Sequence, residues 1–198
     1  LVRARPLQGS EILLSGRLDH VKRYRPQLED ALGRLRESNT IRLYQFGIEN
    51  LSDTVLQRYN KGLQFADIEA ALQLMDELER LHANLAVERS FGFILFDPWT
   101  TVADLRTNVQ RALRIRLDRY RGQAPQTSLR LMPEMSLYWQ ARAEGLLTGE
   151  VADNVFGYSV DSGWRFRDDA VSQIHAEYQR RRGEMPPWQL LGDILGQV

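Results

Sequence analysis

The 198-residue chain balances 26 basic against 26 acidic side chains and contains no cysteine. Zero net charge argues against an electrostatically driven binder of nucleic acid or membrane surfaces. The lack of cysteine excludes disulfides, thiol nucleophiles and thiolate-held zinc or iron–sulfur clusters within these residues.

No apolar run approaches the roughly eighteen residues of a membrane span, and no signal-peptide pattern is visible at the start. With 43% hydrophobic and 26% charged residues, the chain reads as a globular protein of one domain, or the larger part of one, expected in the cytoplasm. Only Lys22 and Lys61 are lysines, so 24 of the 26 basic residues are arginine, a bias that suits codon usage better than chemistry. The chain opens on Leu1 rather than Met, which leads us to expect a processed chain or a segment of something longer.

In chain order, Ile12–Ser15 reads as a strand that runs out into a loop, Gly16 to His20. A helix from about Pro26 carries Leu28, Ala31, Leu32 and Leu35 at three-and-four spacing and breaks at Ser38-Asn39. Ile41–Gly47 alternates β-branched or aromatic with polar residues, as a strand does. A short helix from Ser52-Asp53 stops at Asn60-Lys61-Gly62. A long one follows, with Phe65, Ile68, Leu72, Met75, Leu78 and Leu81 on its core face, ending at Asn84. Phe91–Phe96 is a near-continuous apolar run, the pattern of a strand covered on both faces. Asp97-Pro98-Trp99 turns the chain, and Thr100 or Thr101 caps a helix to about Leu117. A loop at Gly122–Gln126, a strand at Thr127–Met132 and a helix at Ser136–Gly145 complete a fourth unit. Beyond it come a brief edge strand at Val155–Val160, a polar helix at Arg167–Arg182 and a short helix at Trp188–Leu195.

Strand and helix thus alternate four times, which implies a parallel sheet with right-handed crossovers. Ligands of such sheets bind at the carboxyl ends of the strands. There, Gly47-Ile48-Glu49-Asn50 is the most informative stretch: glycine admits a close ligand, and a carboxylate beside an amide can bind two ribose hydroxyls. Lys61, one short helix later, suits a ligand carboxylate, and a structural Glu49–Lys61 ion pair explains the same spacing. His20, His82 and His175 share no metal-ligand spacing, and the last two read as surface residues. Asp97 follows a buried strand as a barrel acid would, or caps the next helix. These patterns lead to a βα-repeat protein with a polar mouth and name no reaction.

Gln45-Phe46-Gly47-Ile48-Glu49-Asn50-Leu51-Ser52-Asp53-Thr54-Val55-Leu56 with Asn60-Lys61-Gly62 resembles the "GxESGSDxVLxxxNKG" segment of radical S-adenosylmethionine (SAM) enzymes. Gly92–Thr101 resembles that family's "GFILG-P-x-x-T", and Met132–Tyr138 with Glu144-Gly145-Leu146 its "P-G-T-P-L-Y…EGL". The three motifs keep their order over about Glu11 to Leu147, roughly two-thirds of the chain.

The resemblance implies a partial (β/α)6 barrel, of which residues 1–147 hold roughly the third to sixth units, followed by a mainly helical extension at 148–198. It implies an enzyme in which a four-iron four-sulfur cluster reduces SAM and a 5′-deoxyadenosyl radical abstracts a substrate hydrogen. By the same resemblance Glu49 meets the SAM ribose with Asn50 beside it, and Lys61 meets the methionine carboxylate. Gly92 and Ile94 run along the adenine, and Ser15 and Arg17 face the cofactor.

The family's CxxxCxxC loop is absent, so the cluster ligands are expected on a segment before Leu1, and this chain alone is not expected to be competent. Phe96 replaces a frequent glycine. Some relatives with an "FDPxT"-like turn carry a cobalamin-binding domain, which makes cobalamin a candidate cofactor of the longer protein. Expected partners are a small-molecule substrate of unknown identity, with neither nucleic acid nor membrane. The missing amino-terminal barrel segment or a second copy is expected against an exposed sheet edge at Ile12–Ser15. Two other readings stand beside this one: a cluster-free barrel serving as a binding or scaffolding module, and an unrelated βα-barrel lyase with Lys61 as Schiff-base lysine.

Overall fold

Alternation in the second strand sets the architecture. Ile41, Leu43, Phe46 and Ile48 are buried, whereas Arg42, Tyr44, Gly47 and Glu49 between them are only partly so. Two residues, Tyr44 and Gln45, separate Leu43 from Phe46. A bulge absorbs the extra one and keeps the apolar residues on one face. Gln45, at φ 49, is the residue that absorbs it.

The computed structural model describes residues 9–88, 91–117, 128–150 and 162–196. They fall into two compact units, Leu1–Phe93 with Ile115–Ala124 and Ile94–Arg114 with Pro125–Val198. The expected loop at Gly122–Gln126 and edge strand at Val155–Val160 lie outside the described residues.

In the first unit, β1 (Glu11–Arg17) leads into α1 (Leu18–Arg23) and α2 (Arg25–Leu35). The central strand β2 (Thr40–Glu49) is followed by α3 (Asp53–Arg58), α4 (Phe65–Leu81), β3 (Leu85–Val87) and β4 (Gly92–Phe93). Every pairing in this sheet is parallel, as the alternation of strands and helices leads one to expect. β1 lies on one side of β2; β3 and β4 lie end to end on the other, against residues 41–43 and 47–49.

α4 buries Phe65, Ile68, Leu72, Met75 and Leu78 of its expected stripe, and Leu81 at its end is 54% exposed. Its start is fixed by a reciprocal cap in which the Gln64 N–H donates to Asp67 Oδ2 at 3.0 Å and the Gln64 side chain accepts from the third helical N–H. Asn84 Nδ2 donates to the Leu32 carbonyl at 3.0 Å and ties the end of α2 to the turn before β3.

Three expectations change in this unit. The loop expected at Gly16–His20 is largely helix, because Leu18 and Val21 are buried and α1 packs on α4. Between Asn84 and Phe91 there is a strand, β3, too short at three residues to register as a period. The strand expected over Phe91–Phe96 shrinks to Gly92-Phe93, because its partner β2 ends at Glu49, which pairs with Phe93.

In the second unit, Asp97 is fully buried and builds a turn. Its Oδ1 accepts from the Trp99 N–H at 2.8 Å and the Thr100 hydroxyl at 3.1 Å. Thr101, not Asp97, caps α5 (Val102–Arg114): the Thr101 N–H donates to Asp104 Oδ2 while Thr101 Oγ1 accepts from the Asp104 N–H, both at 3.1 Å. The expected strand at Thr127–Met132 is reduced to two bridges, Ser128 with Phe96 and Leu131 with Ser162. Between them the Leu129 carbonyl accepts from the Trp164 indole at 2.8 Å instead of from a neighbouring strand.

α6 (Ser136–Ala143) ends at Gly145, whose φ of 66 suits glycine, with the Leu146 N–H closing back on the Ala141 carbonyl. An antiparallel pair, β5 (Leu147–Glu150) and β6 (Ser162–Trp164), precedes α7 (Asp169–Arg180) and α8 (Pro187–Gly196). Glu144 joins these pieces, accepting from Trp99 Nε1 at 2.7 Å, Gln140 Nε2 at 3.1 Å and the Arg167 guanidinium. The Arg167 hydrogen bond, helped by Trp99 and Gln140, holds its carboxyl below the ordinary value.

His175 is no surface residue. Its ring is half-buried, edge-on to Phe96 at 4.8 Å and 5.3 Å from Phe166, on the side of α7 that buries Ile174 and Tyr178. Burial among these rings lowers its pKa from 6.5. Between the lowered native value and the unfolded value the unfolded chain binds more protons, so stability rises with pH in that window. The contribution is complete above about pH 6.5 and is lost as pH falls through the native pKa. Urea unfolding at pH 7.5 and pH 5.5 should show the second condition less stable, with the difference reduced in His175→Phe.

Candidate functional site

The carboxyl ends of β1, β2 and β4 meet at Gly47, which pairs with Arg17 on one side and with Gly92 on the other. A Cβ on Gly92 would stand 3.6 Å from the Gly47 Cα, so the two glycines form a bare stretch of backbone. A Cβ on Gly47 would come within 2.5 Å of Glu49 Oε1. The glutamate therefore folds back over its own strand into space that only glycine leaves open. It does so from a left-handed backbone, φ 68, reached through an irregularity between Gly47 and Glu49 in the pairing with β4.

Glu49 Oε1 accepts from Lys61 Nζ at 2.9 Å, so the structural ion pair that the spacing allows does form. The two side chains are 22% and 34% exposed.

The loop after α3 presents Lys61. Asn60 adopts φ 50, and the Lys61 N–H closes on the Leu56 carbonyl, the left-handed helix ending that favours asparagine or glycine. Gly62, at φ 63, then turns the chain toward α4, whose Phe65 N–H donates to Asp53 Oδ1 at 2.7 Å. Asn-Lys-Gly thus places a cation at a fixed point with a backbone few other triplets tolerate.

Arg17 spans β1 and this loop, its Nε donating to Asp19 Oδ1 at 3.0 Å and its Nη2 to the Lys61 carbonyl. Partial burial pushes the Asp19 carboxyl up. The Arg17 hydrogen bond and charge, with the charge of His20 and the residue's own N–H, outweigh it and hold the group below its ordinary value.

Of the residues singled out from sequence, Arg17, Glu49, Lys61 and Gly92 come together with Gly47. Ser15 is exposed on β1 at the register shift between Leu14 and Gly16. Asn50 is fully buried, with Oδ1 accepting from the Ser52 N–H at 2.8 Å, so it shapes the entry to α3. Ile94 belongs to the second unit. His20 lies in α1, with Nδ1 3.2 Å from where a Cβ on Gly16 would be. Asp19 joins this cluster without a sequence signal, because the sequence reads Gly16–His20 as a loop and the helix that places Asp19 in its first turn appears only in the structure.

Among the described residues no group of three or more His, Cys, Asp or Glu could hold a metal ion, and no helix is long and apolar enough to cross a membrane. The cluster offers a carboxylate for hydroxyl or amine donors, an ammonium for a carboxylate or phosphate, and bare backbone for a flat group.

No family model and no curated protein sequence matches the chain. Its fold matches solved structures of the cobalamin-dependent S-adenosylmethionine radical enzyme OxsB. The form with aqua-cobalamin bound aligns with a TM-score of 0.58 and 16% identity over 90% of this chain and 29% of that one. The form with aqua-cobalamin and S-adenosylmethionine bound gives 0.55 and 16% over 90% and 30%. The apo form gives 0.58 and 15% over 90% and 29%. The chain therefore shares its fold with part of that enzyme and spans about three-tenths of the length of the chains it matches.

Gly47→Ala should displace Glu49 with little loss of stability, because the clashing atom is the free end of a flexible side chain. Urea unfolding should change by less than about 1 kcal/mol. The Lys61 ammonium NMR signal, one of only two from lysine, should move toward its position in Glu49→Gln while that of Lys22 stays.

Proposed function

We propose that this chain is the carboxyl-terminal portion of a radical SAM enzyme with a partial (β/α)6 barrel, and that it binds SAM at the ends of β1, β2 and β4. The Glu49–Lys61 pair above the Gly47–Gly92 backbone carries the reading: it combines an acceptor, a cation and a bare floor at the end of the sheet where such ligands bind. The likeness of fold to OxsB supports it.

In this reading Glu49 accepts from the ribose hydroxyls and Lys61 pairs with the methionine carboxylate. Gly92 admits the adenine, and Ser15 lines the rim. Asn50 holds the turn that carries Glu49. SAM, when bound, supplies the adenosyl group whose radical would abstract a substrate hydrogen. Residues 148–198 form the extension that shapes substrate choice.

The four-iron four-sulfur cluster does not fit the residues present, which include no cysteine. Its ligands are assigned to another segment of a longer protein, where cobalamin is also a candidate.

The same reading gives β1 a partner. Its outer edge carries Leu13 at 55% and Leu14 at 39% exposure, suited to a strand from the missing barrel segment. Lys61 lies in a loop and is ion-paired, which disfavours the lyase reading, since Schiff-base lysines sit on a strand or at its end.

Three measurements test these assignments. The longer protein, loaded anaerobically with iron and sulfide, should cleave SAM to 5′-deoxyadenosine; coding sequence that starts at Leu1 with no three-cysteine loop upstream would leave only a cluster-free binding module. Glu49→Ala and Lys61→Ala should each weaken SAM binding by roughly tenfold, and unchanged affinity in both would remove the site. The 198-residue chain alone should associate with rising concentration in sedimentation, and Leu13→Lys should suppress it.

A further inference from the structure

Among the described residues Arg17 has two recipients, and neither is the mouth of the site. Its Nε is engaged by Asp19 at 3.0 Å, and its Nη2 donates to the backbone carbonyl of Lys61, 44 residues away. Asp19 is itself placed by the first turn of α1, where the helix N-terminus favours a carboxylate. The chain of contacts therefore runs from α1 through Asp19 and Arg17 to the backbone of Lys61, and from Lys61 Nζ to Glu49.

The loop needs such a tether. Asn60 and Gly62 on either side of Lys61 both hold left-handed backbone, and a flexible four-carbon side chain separates the Lys61 ammonium from its own backbone. A shift of the loop by one rotamer's reach would part Nζ from Glu49 and from any ligand carboxylate.

We propose that Arg17 is a positioning residue for Lys61: it fixes the carbonyl of the loop so that the ammonium stands where a ligand carboxylate can pair with it, and it does not itself bind the ligand. The ligand half of this inference rests on the SAM reading above; the tether itself does not.

Binding of SAM and of 5′-methylthioadenosine, which keeps the nucleoside and lacks the amino and carboxylate groups, separates the alternatives in the full-length, cluster-loaded protein. Arg17→Met should weaken SAM roughly five- to tenfold and leave methylthioadenosine unchanged. In a Lys61→Met background the same change should add nothing, because its effect runs through Lys61. An equal loss for both ligands, or a loss that adds to that of Lys61→Met, overturns the proposal.

Hydrogen exchange without ligand tests the tether alone. Arg17→Met should speed exchange of the amides at 60–62, Lys61→Met should not, and unchanged exchange in Arg17→Met also overturns the proposal. Asp19→Asn, which loosens Arg17 without removing it, should move both readouts in the same direction by less, and it replaces Arg17→Met should that variant fail to fold. If Lys61→Met leaves SAM affinity intact while exchange still responds to Arg17, the SAM assignment of Lys61 fails and the tether stands.

Discussion

Gly47 having no side chain is the condition on which the carboxyl end of the sheet depends. A Cβ there would fall 2.5 Å from Glu49 Oε1, and it is by folding into that space that Glu49 meets Lys61. Because Gly47 is also the shared partner of Arg17 and Gly92, one missing methyl group sets the relation of three strands to one ion pair. Asn60 and Gly62 then matter because they deliver the cation to that point, and Arg17 because it holds the loop that does so.

The ion pair does not account for the backbone that supports it. A left-handed residue other than glycine costs about 1–3 kcal/mol, and Glu49 holds φ 68. A partly exposed pair returns about 0–1 kcal/mol, less than the conformation costs. The sheet supplies the remainder: β2 is paired on both sides at Gly47, and Ile48 next to Glu49 is fully buried, so the strand cannot relax without unseating its core. On the proposed reading, the ligand is the reason a charged side chain is held over bare backbone at net expense.

Much of this was legible because it rests on local chemistry. The stripe from Phe65 to Leu78 has helical period, Ile41–Gly47 has strand period, and Asn-Lys-Gly is a helix stop by composition. The Glu49–Lys61 pairing followed from one short helix between them. What stayed hidden depends on partners distant in sequence. Leu85–Val87 is a strand only because β2 offers a free side at Ile41–Leu43. Gly92-Phe93 stops where β2 stops, and no pattern in Phe91–Phe96 encodes that. His175 lies in a polar helix and looks like surface until Phe96 and Phe166 are seen against it. Asp97 has the position of an acid for chemistry, but the Trp99 N–H and the Thr100 hydroxyl claim its Oδ1.

β1 makes the remaining argument. A strand that ends a sheet usually carries proline, lysine or an inward charge to discourage further pairing. Between Glu11 and Arg17, β1 has none of these; it has Ile12, Leu13 and Leu14, and consecutive leucines in a strand point to opposite faces. Leu14 pairs in register with buried Leu43, and Leu13 with Arg42, so one leucine extends the apolar face of β2 and the other its open face. Parallel sheets are normally covered on both faces, and their inner strands read as unbroken apolar runs. By that measure Ile12-Leu13-Leu14 is composed as an inner strand. The absence of cysteine and the edge of β1 left unpaired among the described residues then have one explanation in the proposed reading: the segment that would bring the cluster ligands is also the segment that would lie beside Leu13 and Leu14.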